Sequence, residues 1–140
     1  MLKLILAISG KPGLYKLVSQ SKNMLIVESL DSSKKRLPVH GTEKINSLGD
    51  IAMYTVTSEV PLREVFNTIK TNQNGGKVEI NTKSASRDEL MSFMESALAD
   101  FDRERVHISD IKKLISWYNI LIENDFTDFE EKQEEEKTEE

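Results

Sequence analysis

The feature that most constrains the fold is a succession of short apolar segments between residues 13 and 56. In order they read LYKLVS, MLIVESL, KRLPV and IAMYTV, and polar or glycine-containing turns separate them. Each segment is rich in β-branched or long apolar residues, as is typical of β-strands. Strands this short leave exposed edges unless they close on one another. We therefore predict a small SH3-like β-barrel over residues 1–59, with residues 51–57 as the strand that closes it.

Alternation along the first of these segments predicts two different faces. Tyr15 and Leu17 point to one side, and Leu14, Lys16 and Val18 point to the other. Pro38 lacks an N–H donor, which indicates an edge position for the third segment. We expect a tight turn at residues 10–13 and a helical turn at residues 43–47.

The second half changes from strand to helix periodicity, and we predict three amphipathic helices within residues 60–124. Pro61 suits the first turn of the first helix, and Ser86 with Glu89 forms a capping-box pattern before the second. The third begins near Ser109. Residues 77–80 fit either an extended connection or one more strand. The predicted apolar stripe of the third helix consists of Ile111, Leu114, Ile115, Tyr118 and Ile122. Together these segments predict an α+β protein whose helices pack on or beside the barrel.

The charge is distributed unevenly, which separates the end of the chain from the rest. Residues 1–60 carry a net charge of +3 and residues 61–124 a net charge of −1, whereas residues 125–140 carry −7. Blocks of like charge stay solvated. We therefore predict a disordered acidic tail over residues 125–140, with solubility as its simplest role.

Two features bear on the cellular compartment. The chain has no cysteine, which excludes disulfides and cysteine-ligated zinc. Its first apolar run, residues 4–8, is short for a signal peptide, and no segment approaches the ~20 apolar residues of a membrane span. We expect a cytoplasmic protein without membrane contact.

Several longer runs resemble a family of short, uncharacterised bacterial proteins that share a domain of unknown function. The runs are ISGKPGLYKLV, LGDIAMYT, EVPLREVF and DRERVHISDIKKLISWYNIL. The resemblance covers most of residues 4–122 and does not extend to the acidic tail. It implies a bacterial protein with a β-rich front and a helical back, and it implies no activity.

Motifs for catalysis, metals and nucleotides are incomplete. The loop at residues 9–13 has proline where a phosphate-binding loop needs serine or threonine. The carboxylates at residues 100–104 begin like a calcium loop, but Arg105 replaces its glycine and Ile111 its final glutamate. His40 and His107 stand alone in the sequence. We assign no catalytic residue, no metal ligand and no cofactor.

The three consecutive cations Lys34, Lys35 and Arg36 form a candidate contact for a phosphate backbone. Two tyrosines, at positions 15 and 54, are the only aromatic residues that the barrel segment offers for stacking with bases. A charged hairpin tip that discourages edge-to-edge pairing of strands explains the same cluster.

The single tryptophan, Trp117, lies about 100° from the apolar stripe of the third helix. It either packs beneath the barrel or anchors a partner, because tryptophan concentrates binding energy at interfaces. The leading hypothesis is a non-enzymatic module that binds another protein or a second copy of itself. A nucleic-acid-binding barrel that uses residues 34–36 is the alternative, and an enzyme is the third.

Overall fold

The computed structural model describes residues 2–10, 13–31, 33–40, 44–124, 126 and 129. Five strands form one antiparallel sheet in the spatial order β4-β3-β2-β1-β5. The strands are β1 (Ile5–Ile8), β2 (Tyr15–Gln20), β3 (Met24–Ser29), β4 (Arg36–His40) and β5 (Ile45–Ser47). β6 (Ala52–Tyr54) and β7 (Glu59–Pro61) form a separate hairpin. α1 (Leu62–Asn72), α2 (Arg87–Ala97) and α3 (Ile108–Glu123) come after this hairpin, which confirms an α+β protein.

The predicted SH3-like barrel is not confirmed, because the sheet is open. Its outer strands, β4 and β5, pair only with β3 and β1 among the described residues. The predicted closing strand at 51–57 is wrong: the chain turns back at Thr55, whose backbone N–H donates to Ser58 O at 2.8 Å. The Thr55 hydroxyl also accepts from Ser58 N at 2.8 Å. This turn pairs β6 with the three-residue β7 instead of with the sheet.

The predicted helical turn at 43–47 is also misplaced. Ile45–Ser47 is strand β5, and the helical turn comes next, at Leu48–Asp50. The Ser47 hydroxyl accepts from Gly49 N at 3.3 Å and so begins that turn. Glu43 lies outside the described residues, as do Lys11 and Pro12 of the predicted turn at 10–13.

The sheet is apolar on both faces, and each face buries its own cluster. Ile5 and Leu14 contribute to a large core that also contains the buried residues of all three helices. Leu6, Ile8, Val27 and Val39 form a second, smaller cluster against which Tyr15 and Leu17 pack. The predicted pairing of Tyr15 with Leu17 on one face is therefore confirmed, and Lys16 and Val18 on the other face are exposed.

The helical stripes predicted from the sequence are largely confirmed. α1 buries Leu62, Val65, Phe66 and Ile69, and α2 begins with Ser86 Oγ accepting from Glu89 N at 3.1 Å. α3 starts at Ile108, one residue before the predicted serine. It buries Leu121 where Ile122 was expected. Residues 77–80 form an extended connection with no strand assigned.

An aromatic cluster joins the end of the chain to the helices. The Phe129 ring lies 5.2 Å from that of Phe66 and 6.2 Å from that of Tyr118, and all three side chains are buried. Each such pair contributes about 0.5–1.5 kcal/mol beyond its buried area. Phe126 and Phe129 fall within the predicted tail and both pack against the large core. The other residues of that predicted tail, 125, 127, 128 and 130–140, lie outside the described residues.

Candidate functional site

α3 places Trp117 at the boundary between the core and the surface. Its inner side is buried, with Leu114 and Tyr118 each 0–1% exposed. Trp117 itself is half-buried and packs against the large core. It also lines two grooves that meet at its side chain and at that of Lys113. The predicted packing role and the predicted contact role are therefore compatible in one residue.

The first groove, which we call the apolar groove, has a volume of about 220 Å³. Most of its lining side chains are apolar, and the charged residues Arg105, Asp110 and Lys113 complete it. The apolar lining consists of Ile51, Ala52, Met53, Tyr54, Leu62, Val106, Leu114 and Trp117. A concave site of this size and lining fits one or two large apolar side chains.

The second groove, which we call the lysine groove, has a volume of about 500 Å³ and lies between α3 and the turn after β1. Lys112 and Lys113 are the only ionisable residues that line it, and neither has an ion-pair partner among the described residues. Its other lining residues are Ala7, Ile8, Ser9, Gly10, Gly13, Asn46, Ser116, Trp117 and Ile120. No carboxylate is among the described residues that line this groove, so the charge of these residues is positive.

The β6–β7 hairpin carries exposed apolar side chains, and one of them, Tyr54, lines the apolar groove. Tyr54 is 40% exposed and Val56 65% exposed. The Arg105 guanidinium lies 4.7 Å from the centre of the Tyr54 ring and pairs with Asp102 at 2.9 Å. Hydrogen bonds from the Glu104 backbone N–H and from Arg105 hold the pKa of Asp102 below its usual value. Arg105 is therefore held in place and its charge is compensated.

Lys34, Lys35 and Arg36, which we call the basic turn, belong to the connection between β3 and β4. Asp31 organises this connection: its Oδ1 accepts from the Ser33 hydroxyl at 2.6 Å and from Ser33 N at 2.9 Å. The Ser29 hydroxyl donates to the same oxygen at 2.9 Å. These bonds, led by the Ser33 hydroxyl, hold the pKa of Asp31 below its usual value. The chain then reaches Lys34 with a φ of 48°, a left-handed conformation.

Two of the three cations of the basic turn bond within the chain. Lys34 Nζ donates to Asn124 Oδ1 at 2.7 Å, and Arg36 Nε lies 3.3 Å from Glu28 Oε1 across the β3–β4 ladder. Lys35 is exposed, and its backbone N–H donates to Ser29 Oγ at 3.0 Å. The turn is thus tied to the end of α3 and to the sheet.

The structure brings both predicted site regions to one side of α3. Lys113, Trp117, Ile120 and Asn124 have the helical spacing of i, i+4, i+7 and i+11, so they share a face. Asn124 is bonded to Lys34 and lies seven residues after Trp117, which is about 10 Å along the helix axis. The basic turn and the two grooves therefore border the same face of this helix.

Metal ligands and residues with a shifted pKa, which catalysis would require, do not lie together in these grooves among the described residues. The described residues contain no set of three or more His, Asp or Glu that could hold a metal ion. His40 ends β4, and His107 precedes α3, where its backbone N–H donates to Asp110 Oδ2 at 3.0 Å. The pKa of Tyr118 is raised by burial, and neither it nor Asp31 nor Asp102 lines either groove. Within the described ranges, no helix has the length and apolarity that a bilayer span requires.

Sequence reasoning missed two residues that line the grooves, Lys112 and Lys113, and it gave Tyr54 a different role. Lys112 and Lys113 are adjacent cations in the sequence, yet only helical position shows that they flank Trp117. Tyr54 and Val56 were assigned to a barrel strand, and their exposure results from the turn at Thr55. The signal that was available is the pattern Lys112-Lys113-x-x-x-Trp117.

Comparison with other proteins places the chain in a family. Residues 51–121 match the model described as Domain of unknown function (DUF6852), and residues 2–48 match Domain of unknown function (DUF5606). Because the first match spans just over half of the chain, the protein belongs to the DUF6852 family. The resemblance to uncharacterised bacterial proteins is thereby confirmed.

A solved relative shares the fold. The chain is 58% identical to a Bacteroides vulgatus protein whose structure was determined by solution NMR, with a TM-score of 0.76. The match covers 92% of this chain and 91% of that one. No curated protein matches the chain.

Proposed function

We propose that this protein is a non-enzymatic interaction module that binds a protein partner through the face of α3 around Trp117. The observation that carries the proposal is the half-buried Trp117 between two adjoining grooves, with the exposed Tyr54 in the lining of one of them and Val56 exposed two residues further along the chain. Binding energy at protein interfaces concentrates in aromatic residues that sit in such partly enclosed positions. A cytoplasmic location is part of the proposal.

The apolar lining distinguishes this face from a catalytic cleft. Enzyme sites combine a pocket with converging polar groups and titratable residues of shifted pKa. The three residues with shifted pKa owe their shifts to turn hydrogen bonds or to burial in the core. The non-enzymatic assignment rests on this separation.

A nucleic-acid site at the basic turn is the weaker alternative. A phosphate-binding surface needs several cations that are free to replace counterions. Lys34 and Arg36 are already engaged with Asn124 and Glu28. Lys35 is left as the one cation of this turn without a side-chain bond among the described residues.

The test is affinity isolation from a native bacterial extract with three forms of the full chain: wild type, Val56→Asp and the triple variant K34A/K35A/R36A. Val56 is exposed, so its replacement leaves the core intact. We expect the same proteins to accompany the wild type and the triple variant, and to be lost with Val56→Asp.

Light scattering after size exclusion, with nuclease-treated protein at low and high salt, completes the test. A second copy as the partner would appear as a dimer mass that Val56→Asp reduces to the monomer mass. Co-purifying nucleic acid that depends on the basic turn, or partners unaffected by Val56→Asp, would overturn the proposal.

A further inference from the structure

We propose that the partner segment is an acidic peptide with one large apolar side chain, which enters the apolar groove while its carboxylates lie against Lys112 and Lys113. This inference rests on the proposed function and adds the chemistry of the partner to it. Its basis is the continuity of the two grooves at Trp117 and Lys113.

The apolar half of the site selects the anchor. Trp117, Leu114 and Leu62 contribute to the walls of the apolar groove, and Leu114 and Leu62 are each 1% exposed, so the walls are fixed by the core. The volume of about 220 Å³ is large enough for a leucine- or phenylalanine-sized side chain. Removing such a side chain from water contributes about 1.5–3 kcal/mol.

The charged half of the site selects the residues next to the anchor. Lys113 is exposed and Lys112 is half-buried, and both line the lysine groove without a carboxylate neighbour in that lining. Asp110 also lines the apolar groove beside Lys113, where its Oδ2 accepts from the His107 backbone N–H. Neither Lys112 nor Lys113 makes an ion pair among the described residues, so carboxylates of another chain can pair with both. Charge complementarity of this kind favours carboxylates over amines and speeds encounter between the partners.

A peptide can reach both halves at once. Lys113 lines both grooves, so an anchor in the apolar groove leaves the next residues of an extended peptide close to the two lysines. An extended chain advances about 3.3 Å per residue, so two to four residues span the junction. The expected motif is therefore one large apolar residue with at least two Asp or Glu within about four positions on either side of it.

A nucleic acid fits the same surface less well. The two lysines are the uncompensated cations of the site, whereas phosphate binding of useful strength needs several. A short acidic peptide needs only two carboxylates to pair with Lys112 and Lys113, and its apolar side chain fills the apolar groove.

The test is selection of random 12-residue peptides displayed on phage against the full-length chain, and then fluorescence anisotropy on the most enriched peptide. We expect selected sequences to be enriched in Asp and Glu around one large apolar residue. Lys112→Glu/Lys113→Glu should weaken binding at least tenfold, and raising the salt from low to physiological concentration should weaken it further. Lys34→Glu/Lys35→Glu is the matched control, with the same change in net charge on the basic turn, and should change affinity less than twofold.

Several results would overturn this inference. These are a selected set without acidic enrichment, no selected sequence at all, or equal losses in the two double variants. A single-stranded oligonucleotide that binds more tightly and depends on Lys112 and Lys113 would assign the surface to nucleic acid. Equal competition by a peptide of residues 130–140 would make the acidic end of the chain the occupant. Loss of the native partner with Val56→Asp but not with Lys112→Glu/Lys113→Glu would leave the proposed function standing and remove the acidic partner.

Discussion

The basic turn and the lysine groove carry similar charge but stand in opposite relations to the rest of the chain. In the basic turn, Lys34 bonds to Asn124 and Arg36 pairs with Glu28. In the lysine groove, Lys112 and Lys113 have no such partner among the described residues. The difference shows that a run of cations indicates a binding surface only when its side chains have no partners within the chain.

The largest loss of stability is expected at Asn119 of α3, whose side chain forms two hydrogen bonds within the chain. Asn119 Oδ1 accepts from Val78 N at 2.8 Å, and its Nδ2 donates to Val78 O at 3.0 Å. Asn119→Ala leaves the backbone N–H and C=O of the buried Val78 without these partners. We therefore expect a loss of about 2 kcal/mol in the free energy of unfolding. Urea denaturation measures it. The exposed Ser116→Ala on the same helix should change stability by less than about 0.5 kcal/mol, and equal effects of the two variants would refute this account.

A smaller effect is expected at Tyr118, whose hydroxyl donates to Gly76 O at 2.8 Å. Tyr118→Phe should lose about 1 kcal/mol at neutral pH. Burial raises the pKa of Tyr118 in the folded state above its usual 10.0, so the unfolded state releases its proton first as the pH rises. The wild type should therefore lose stability above about pH 10, and Tyr118→Phe should lose less over the same interval. Parallel curves for the two proteins in alkaline urea titrations would contradict the burial of this hydroxyl.

The basic turn can be tested through its backbone. Lys34 adopts a φ of 48°, a conformation that costs alanine more free energy than glycine because alanine carries a Cβ atom. Lys34→Gly and Lys34→Ala both remove the bond to Asn124, so their difference isolates the backbone. We expect the glycine variant to be more stable by about 0.5–1 kcal/mol in chemical denaturation. If Lys34→Ala is the more stable variant, residue 34 does not hold the left-handed backbone conformation in solution.

The smallest effect on stability is expected in the lysine groove. Neither lysine makes an ion pair among the described residues. Lys112→Ala/Lys113→Ala should therefore change the free energy of unfolding by no more than about 0.5 kcal/mol. Thermal and urea denaturation measure this change. A loss above about 1 kcal/mol would show that these lysines serve the fold, and it would remove the contrast with the basic turn.

The sequence predicted local structure better than the arrangement of the strands. The helices are predicted by stripes such as Leu62, Val65, Phe66 and Ile69, which depend on neighbours within two turns. The barrel depended on which strand closes the sheet. That was decided by Thr55, whose bonds to Ser58 turn the chain and pair β6 with a strand of only three residues. Short-range polar bonds of this kind leave no periodic signal.

The site was predicted in the same uneven way. Trp117 was identified from its position off the apolar stripe, and the structure places it at the junction of two grooves. The basic turn was identified from charge alone. Its internal partner Asn124 lies 90 residues further along the chain, a contact that no local pattern reveals. The sequence analysis does not single out Lys112 and Lys113, and nothing in a pair of adjacent lysines on a helix distinguishes it from an ordinary solvated face.

The most direct measurement of the central claim is quenching of Trp117 fluorescence by iodide and by caesium at equal ionic strength. Trp117 is the sole tryptophan, so the signal reports this face alone. Iodide is the more efficient quencher of indole, so the ratio of iodide to caesium quenching is compared with that of free N-acetyltryptophanamide in the same salts. Positive charge on Lys112 and Lys113 predicts a ratio above that of the free compound, and loss of this excess in Lys112→Glu/Lys113→Glu. A ratio equal to or below that of the free compound in the wild type would contradict the account.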